Sequence, residues 1–312
     1  MEGTTAMTPQ STHDLRTLAS AAVVVGTDGS PAATRAVEWA AQTASTRGRR
    51  LVIAHGYDLK ATSAMLTSYD VVVPPIAENI RTNGERVLDS AARIAADTDA
   101  SLDVVTELSE SNCAQLLIEL SRTAYMTVLG AATMAGTLAH LGSTLLAVAS
   151  HGHGRIVVVR ETHPQHTVRD TGPVVVGVDG SSVGEPAVEA AFSEASERGT
   201  DLVAVHAWSD LSQGTFAGTS YLDLPTTELE TGEKALLSER LAGWQEKYPT
   251  VEVSREVYLS GPRQHLMHWS KEAQLIVVGS RGRGGFRGLL LGSTSNYMVQ
   301  HAHCPVMVVH QN

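Results

Sequence analysis

The chain holds 312 residues, 43% of them hydrophobic, 4% aromatic and 18% charged, and 33 Asp plus Glu against 23 Lys plus Arg give a formal charge of -10. This excludes a disordered or fibrous protein, and like-charge repulsion works against general nucleic-acid or anionic-membrane binding. The length suits two domains of about 150 residues each, and 2 cysteines without CxxC spacing exclude a zinc ribbon or a disulfide framework, which fits a reducing, cytoplasmic setting.

Residues 1–19 are polar, with no cationic segment leading into an apolar run, and read as a flexible N-terminal tail rather than an export signal. No later stretch approaches the roughly 18 apolar residues of a membrane span. The first β-branched run opens Val23-Val-Val-Gly-Thr-Asp-Gly-Ser30, and 151 residues later it returns as Val174-Val-Val-Gly-Val-Asp-Gly-Ser181. At the same offset Ala36-Val-Glu38 meets Ala187-Val-Glu189, Arg47-Gly48 meets Arg198-Gly199, and His55 meets His206. Further on, Gly142-Ser-Thr144 matches Gly292-Ser-Thr294, and Ile156 to Val159 matches Val306 to Val309. One domain is thus duplicated, over residues 20–160 and 173–312, with 161–172 as a His- and Thr-rich linker around Pro164.

In the second copy, apolar runs at Val174–Val178, Leu202–Ala207, Val251–Val257, Leu275–Gly279 and Val306–Val309 alternate with longer segments. These are Ser182–Arg198, Thr226–Lys247, Pro262–Glu272 and Ser293–His301, opened by Ser, Thr or Pro. The alternation predicts an α/β fold in which each domain is a parallel sheet covered by helices on both faces. The acidic stretch from Glu228 to Glu246 reads as a solvated helix face, Trp208, Phe216 and Tyr221 as loop or interface residues, and Cys304 as a small core residue.

Ligands of open parallel sheets settle beyond the carboxyl ends of the strands. There the first run of the second copy ends in Asp179, a carboxylate able to accept from ribose hydroxyls or to cap the next helix. The fourth run ends in Gly279-Ser-Arg-Gly282, continues through Arg283 and Arg287, and reaches Gly292-Ser293-Thr294 at the start of a helix. Glycines admit close backbone approach, a helix start offers free amides and a positive dipole end, and Arg281, Arg283 and Arg287 add positive charge, so the combination suits a nucleotide phosphate.

The first copy keeps Asp28, Gly130, Gly142, Ser143 and Thr144, yet carries Thr133 at the second glycine position, a shorter spacer and no Lys or Arg between Gly130 and Gly142. It is therefore expected to bind nucleotide more weakly than the second copy or not at all. The His151-x-His153 and His301-x-His303 pairs read as helix-end residues rather than metal ligands, since no acidic or cysteine ligand follows at useful spacing. His55 and His206 read as strand-end residues making a structural hydrogen bond or a contact to adenine.

The spacing Gly-x-x-Gly, nine residues, Gly-Ser, met by Gly279, Gly282, Gly292 and Ser293, resembles the ATP-binding signature of the universal stress protein family. Val-x-x-Asp-Gly-Ser after the first run, His206, Leu275-Ile-Val-Val-Gly279 and His301-Ala-His-Cys-Pro-Val306 extend the resemblance over nearly the whole chain as two tandem domains. It implies two Rossmann-like, five-stranded parallel sheets of order 3-2-1-4-5. It further implies ATP as ligand, with or without Mg2+, with adenine near Val205 and Ala207, and ribose at Asp179 beside Gly177. Phosphates would lie at Gly279, Gly282, Gly292, Ser293 and Thr294, with counterparts at Asp28, Gly130, Gly142 and Ser143. The resemblance also implies pairing of the two copies through strand five, a homodimer, an unknown signalling partner and a nucleotide-dependent stress-response or growth-regulating role. P-loop, GxSxG and HExxH patterns are absent, so efficient catalysis is not expected. A slow ATPase or phosphotransfer enzyme and a nucleotide-free scaffold stay open as alternatives.

Overall fold

The computed structural model describes residues 16–58, 73–131, 142–160, 167–209, 226–282 and 291–311. The chain divides into two units, Met1–Val159 and Arg160–Asn312. Among the described residues no helix is long and apolar enough to cross a membrane.

The first unit runs β1 (Val23–Gly26), α1 (Pro31–Thr46), β2 (Leu51–Gly56), α2 (Val73–Thr98), β3 (Val104–Ser109), α3 (Cys113–Ser121), β4 (Met126–Gly130), α4 (Ser143–His151) and β5 (Arg155–Val159). Its strands lie in the order β3-β2-β1-β4-β5, all parallel. Val23, Val24 and Val25, like Leu51 to Ala54, are fully buried, as unbroken apolar strands must be when helices cover both faces. Helix α1 packs against α2, and α3 against α4. Ser30 starts α1 by accepting the Ala33 amide at 3.2 Å, with Pro31 in the first turn. Ala33, Ala36, Val37, Ala40, Ala41 and Ala44 form its buried stripe, and their small size brings the helix close to the sheet. Gly130 closes β4 directly under that helix: a Cβ there would lie 2.1 Å from the Ala32 carbonyl oxygen, so only glycine fits.

The second unit repeats the plan with β6 (Val174–Val178), a 3-10 turn (Ser182–Gly184), α5 (Glu185–Arg198), β7 (Leu202–Ser209), α6 (Thr226–Lys247), β8 (Val253–Ser260), α7 (Pro262–Trp269), β9 (Leu275–Gly279), α8 (Ser293–His301) and β10 (Val306–Val309). Its strand order is β8-β7-β6-β9-β10, again parallel. Thus each unit has the predicted 3-2-1-4-5 arrangement. Helix α5 ends at Gly199, whose left-handed φ of 60° terminates it, and Arg198 in the last turn pairs at 3.2 Å with the fully buried Glu194.

Four elements differ in their bounds from the sequence reading, beginning with β7, which runs on past Ala207 to Ser209 and so carries Trp208 on a strand rather than in a loop. The helix expected from Ser182 begins at Glu185, after the 3-10 turn. The third strand is shifted to Val253–Ser260, because the Val251 amide turns back to the Tyr248 carbonyl at 3.1 Å and its side chain plugs the corner. Helix α7 stops at Trp269, where Lys271 and Glu272 bond back three residues and tighten the chain into turns. Arg160 is buried and donates to the Val299 carbonyl near the end of α8, and burial lowers its pKa to about 10.

A buried serine joins helix to loop in each unit. Ser121 Oγ donates to the Ile118 carbonyl at 2.6 Å and accepts the His153 amide at 2.9 Å. In the second unit, Ser270 Oγ donates to the Met267 carbonyl at 2.8 Å and accepts the His303 amide at 3.2 Å.

Candidate functional site

In the second unit the loops after β6 and β9 bring Asp179 against Gly282. Asp179, just beyond β6, turns its Oδ1 to the Ser181 amide at 2.9 Å and to the Ser181 hydroxyl at 2.7 Å. Ser181 makes no side-chain cap to the 3-10 turn, its hydroxyl being turned to Asp179 instead. The Asp179 carboxylate sits between two glycines. A Cβ on Gly184 would lie 2.9 Å from Oδ1, and one on Gly282 would lie 2.8 Å from Oδ2. Gly282 therefore has a packing reason to be glycine beside the phosphate reason read from the sequence, and Gly184 is a member of the site that the sequence reading missed.

The loop after β9 is stitched at its base. Ser280 donates its amide to the Val309 carbonyl at 2.8 Å and accepts the Gly292 amide at 2.7 Å, while Ser295 Oγ donates to the Gly279 carbonyl at 2.5 Å. These bonds return the chain to Gly292, the cap residue of α8, with φ -66° and ψ 155°. No side-chain bond caps α8, so its first amides, at Ser293 and Thr294, point from a helix start without an internal acceptor. Arg281 is exposed at the loop's base. Arg283, Arg287 and Thr133 lie outside the described residues, as do Phe216 and Tyr221.

On the adenine side, Val205 is buried and pairs in register with Gly177, and Ala207 pairs with Tyr258 on β8. A Cβ on Gly177 would lie 3.1 Å from the Leu266 side chain of α7, a tight fit in which Leu266 would have to give. His206 Nδ1 lies 2.7 Å from the Val178 carbonyl, and His55 Nδ1 lies the same 2.7 Å from the Thr27 carbonyl, so both histidines make the strand-end structural bond. His206 Nε2 meets Glu233 Oε2 at 3.1 Å. Glu233 lies in the stretch read as a solvated face, and the correction was available in the spacing. It falls four and eight residues before the buried Leu237 and Leu241, on the same helical stripe.

The first unit arranges the corresponding loops differently. Asp28 Oδ1 accepts the Ser30 amide at 2.9 Å, while the Ser30 hydroxyl is spent on capping α1. A Cβ on Gly130 would lie 2.1 Å from the Ala32 carbonyl oxygen, whereas one on the corresponding Gly279 would lie 3.0 Å from the Arg281 carbonyl oxygen and 3.9 Å from the Gly184 Cα. Gly142 caps α4 without a side-chain bond, with Ser143 next in the turn. Among the described residues no group of three or more His, Cys, Asp or Glu could hold a metal ion. His151 is engaged with the Ala147 carbonyl at 3.0 Å, and burial, then the nearby Arg122, lowers the pKa of His153.

The fold and its strand-end loops define a tandem protein of two doubly wound α/β domains. A model of the universal stress protein family matches residues 21–160 and again 171–310, and the chain belongs to that family. A universal stress protein of Mycolicibacterium smegmatis is 40% identical over 293 residues, spanning 92% of this chain and 96% of the relative. One of Mycobacterium tuberculosis is 37% identical over 305 residues, spanning 94% and 97%. Among solved structures, a universal stress protein from Archaeoglobus fulgidus superposes with a TM-score of 0.64 at 18% identity, over 94% of this chain and 99% of that one, a likeness of fold.

Proposed function

We propose that the protein binds ATP in its second domain and acts by occupancy, as a nucleotide-dependent stress-response module rather than an efficient enzyme. Adenine would rest near Val205 and Ala207 and ribose at Asp179. Phosphates would rest at Gly279, Arg281, Gly282, Gly292, Ser293 and Thr294, with Mg2+ as their counterion. The observation that carries this reading is the convergence of Asp179, cradled between Gly184 and Gly282, with the uncapped start of α8. The residues fit an anionic ligand, because helix-start amides without an internal acceptor and a positive dipole end favour negative charge.

The first domain supports weaker binding, since Ser30 is committed to α1 and the Ala32 backbone closes on Gly130. Signalling then requires only that one conformation binds ATP more tightly than another. The test is to denature purified protein and count released adenine nucleotide, beside Asp179→Ala. About one ATP per chain, lost in the variant, supports the reading. Two per chain would give the first domain equal standing, and none, with no uptake of added ATP, would favour a nucleotide-free scaffold. Turnover that vanishes in Asp179→Ala would favour a slow ATPase.

A further inference from the structure

We infer that Glu233 and His206 form a proton-dependent latch, specific to the second domain, that fastens α6 to the strand end beside Asp179 and thereby sets nucleotide affinity. The inference rests on the nucleotide-binding reading above and names a regulation of that site.

His206 is 1% exposed, and its Nδ1 lies 2.7 Å from the Val178 carbonyl oxygen. A carbonyl can only accept, so Nδ1 carries a hydrogen. In the neutral ring Nε2 then bears only a lone pair, yet it faces Glu233 Oε2 at 3.1 Å. Two acceptors attract at that distance only with a proton between them, so the contact holds while the pair keeps one proton and opens when it is lost. The chain of contacts runs from α6 through Glu233 and His206 to Val178, the residue before Asp179.

The first domain supplies the contrast. His55 makes the same Nδ1 bond to Thr27 at 2.7 Å, but Gly84 of α2 faces it, and a Cβ there would lie 3.0 Å from His55 Cδ2 and 3.5 Å from Nε2. The strand-end bond is therefore common to both domains, and among the described residues only the second domain's histidine meets a carboxylate.

The charged and titratable groups on the elements packed around His206 are the following. On β6 the next residue, Asp179, holds Ser181; on β8 the register partner of His206 is the uncharged Val257, with Arg255 bonded to Gln245 and Glu256 to the Tyr258 hydroxyl. On α6, Lys234 pairs with Glu230. Helix α7 packs against β7 as well; it carries Arg263, His265 and His268, of which His265 stacks on Tyr258.

The experiment titrates the full chain with ATP at about pH 6 and about pH 8.5, the span over which histidine ordinarily changes charge. The wild-type chain should bind about tenfold more weakly at the higher pH. In Glu233→Gln the amide can donate to a neutral Nε2, so the latch stays closed and that extra weakening disappears. In Glu233→Ala affinity should be low at both values. The variants share the titration of ATP itself, so differences between chains isolate the pair. Equal pH responses in wild type and Glu233→Gln, or a wild-type response in Glu233→Ala, overturn the inference. Hydrogen exchange of α6 without nucleotide, corrected for intrinsic rate, separates the latch from the nucleotide-binding reading. Loss of protection at the higher pH in wild type but not in Glu233→Gln upholds the latch even if no ATP binds. Absence of that loss sinks the latch even if ATP binds.

Discussion

Asp179 and Gly282 are a matched pair: a Cβ on Gly282 would stand 2.8 Å from the Asp179 Oδ2, inside van der Waals contact, although the two residues lie on different strand-end loops. Gly282→Ala should therefore act by displacing the carboxylate. We expect ATP affinity to fall by about tenfold or more in Gly282→Ala, and to fall little further when the same change is made in an Asp179→Ala background. Such coupling, about 1–2 kcal/mol in a double-mutant cycle, is typical of residues in contact. Fully additive effects would show that Gly282 acts on the ligand independently.

The equivalent serines Ser30 and Ser181 should part company. Ser30 caps α1, so Ser30→Ala should cost about 1 kcal/mol in urea unfolding and leave the ATP count unchanged. Ser181 holds Asp179 instead, so Ser181→Ala should weaken ATP binding several-fold at a smaller stability cost, about 0.5 kcal/mol. Matching losses of stability in both variants would contradict this division of labour.

Two glycines of the first domain make opposite predictions. Gly130→Ala drives a methyl to within 2.1 Å of the Ala32 carbonyl oxygen and should destabilise the domain by about 3 kcal/mol or more. Gly142 has open space around its Cα, and Gly142→Ala should cost no more than about 1 kcal/mol, the difference between good and poor cap residues. Thermal unfolding of the two variants side by side decides the matter.

Thiol chemistry should report the burial of the two cysteines. Cys304 is fully buried and its pKa is pushed up to about 12 by burial; Cys113 is also pushed up, chiefly by burial. Only the thiolate reacts, so at pH 8 the native chain should take up at most one iodoacetamide, at Cys113 and more slowly than free cysteine. Both thiols should react once the chain is unfolded. Rapid native labelling of Cys304 would refute its placement.

The order of the sheet and its helices was legible because apolar runs fully covered on two faces leave an unambiguous pattern, and Thr226–Lys247 and Ser293–His301 agree to the residue. The start of α5 was not, because it is set by a side-chain contact from the strand-end loop just before it. Gly184 must present its bare Cα to Asp179, and the chain adopts a 3-10 turn to do so. Likewise Ser30 and Ser181 occupy equivalent places in identical Asp-Gly-Ser runs, yet the next residue, Pro31 in one case and Ser182 in the other, sends their hydroxyls to different partners. Glu233 lay hidden in a run of surface charge whose helical phase, counted from Leu237 and Leu241, pointed inward.

The buried serines at the ends of α3 and α7 bear on how the molecule can be taken apart. Ile118 and His153, which Ser121 joins, both lie before the end of the first unit, and Met267 and His303, which Ser270 joins, both lie in the second. A single hydroxyl that donates and accepts at once cannot be replaced by alanine without orphaning an amide and a carbonyl contact. Each half carries its own copy of this fastening and borrows nothing for it from the other, so chimaeras that exchange whole halves keep it intact, whereas splices between the serine and its histidine partner divide it.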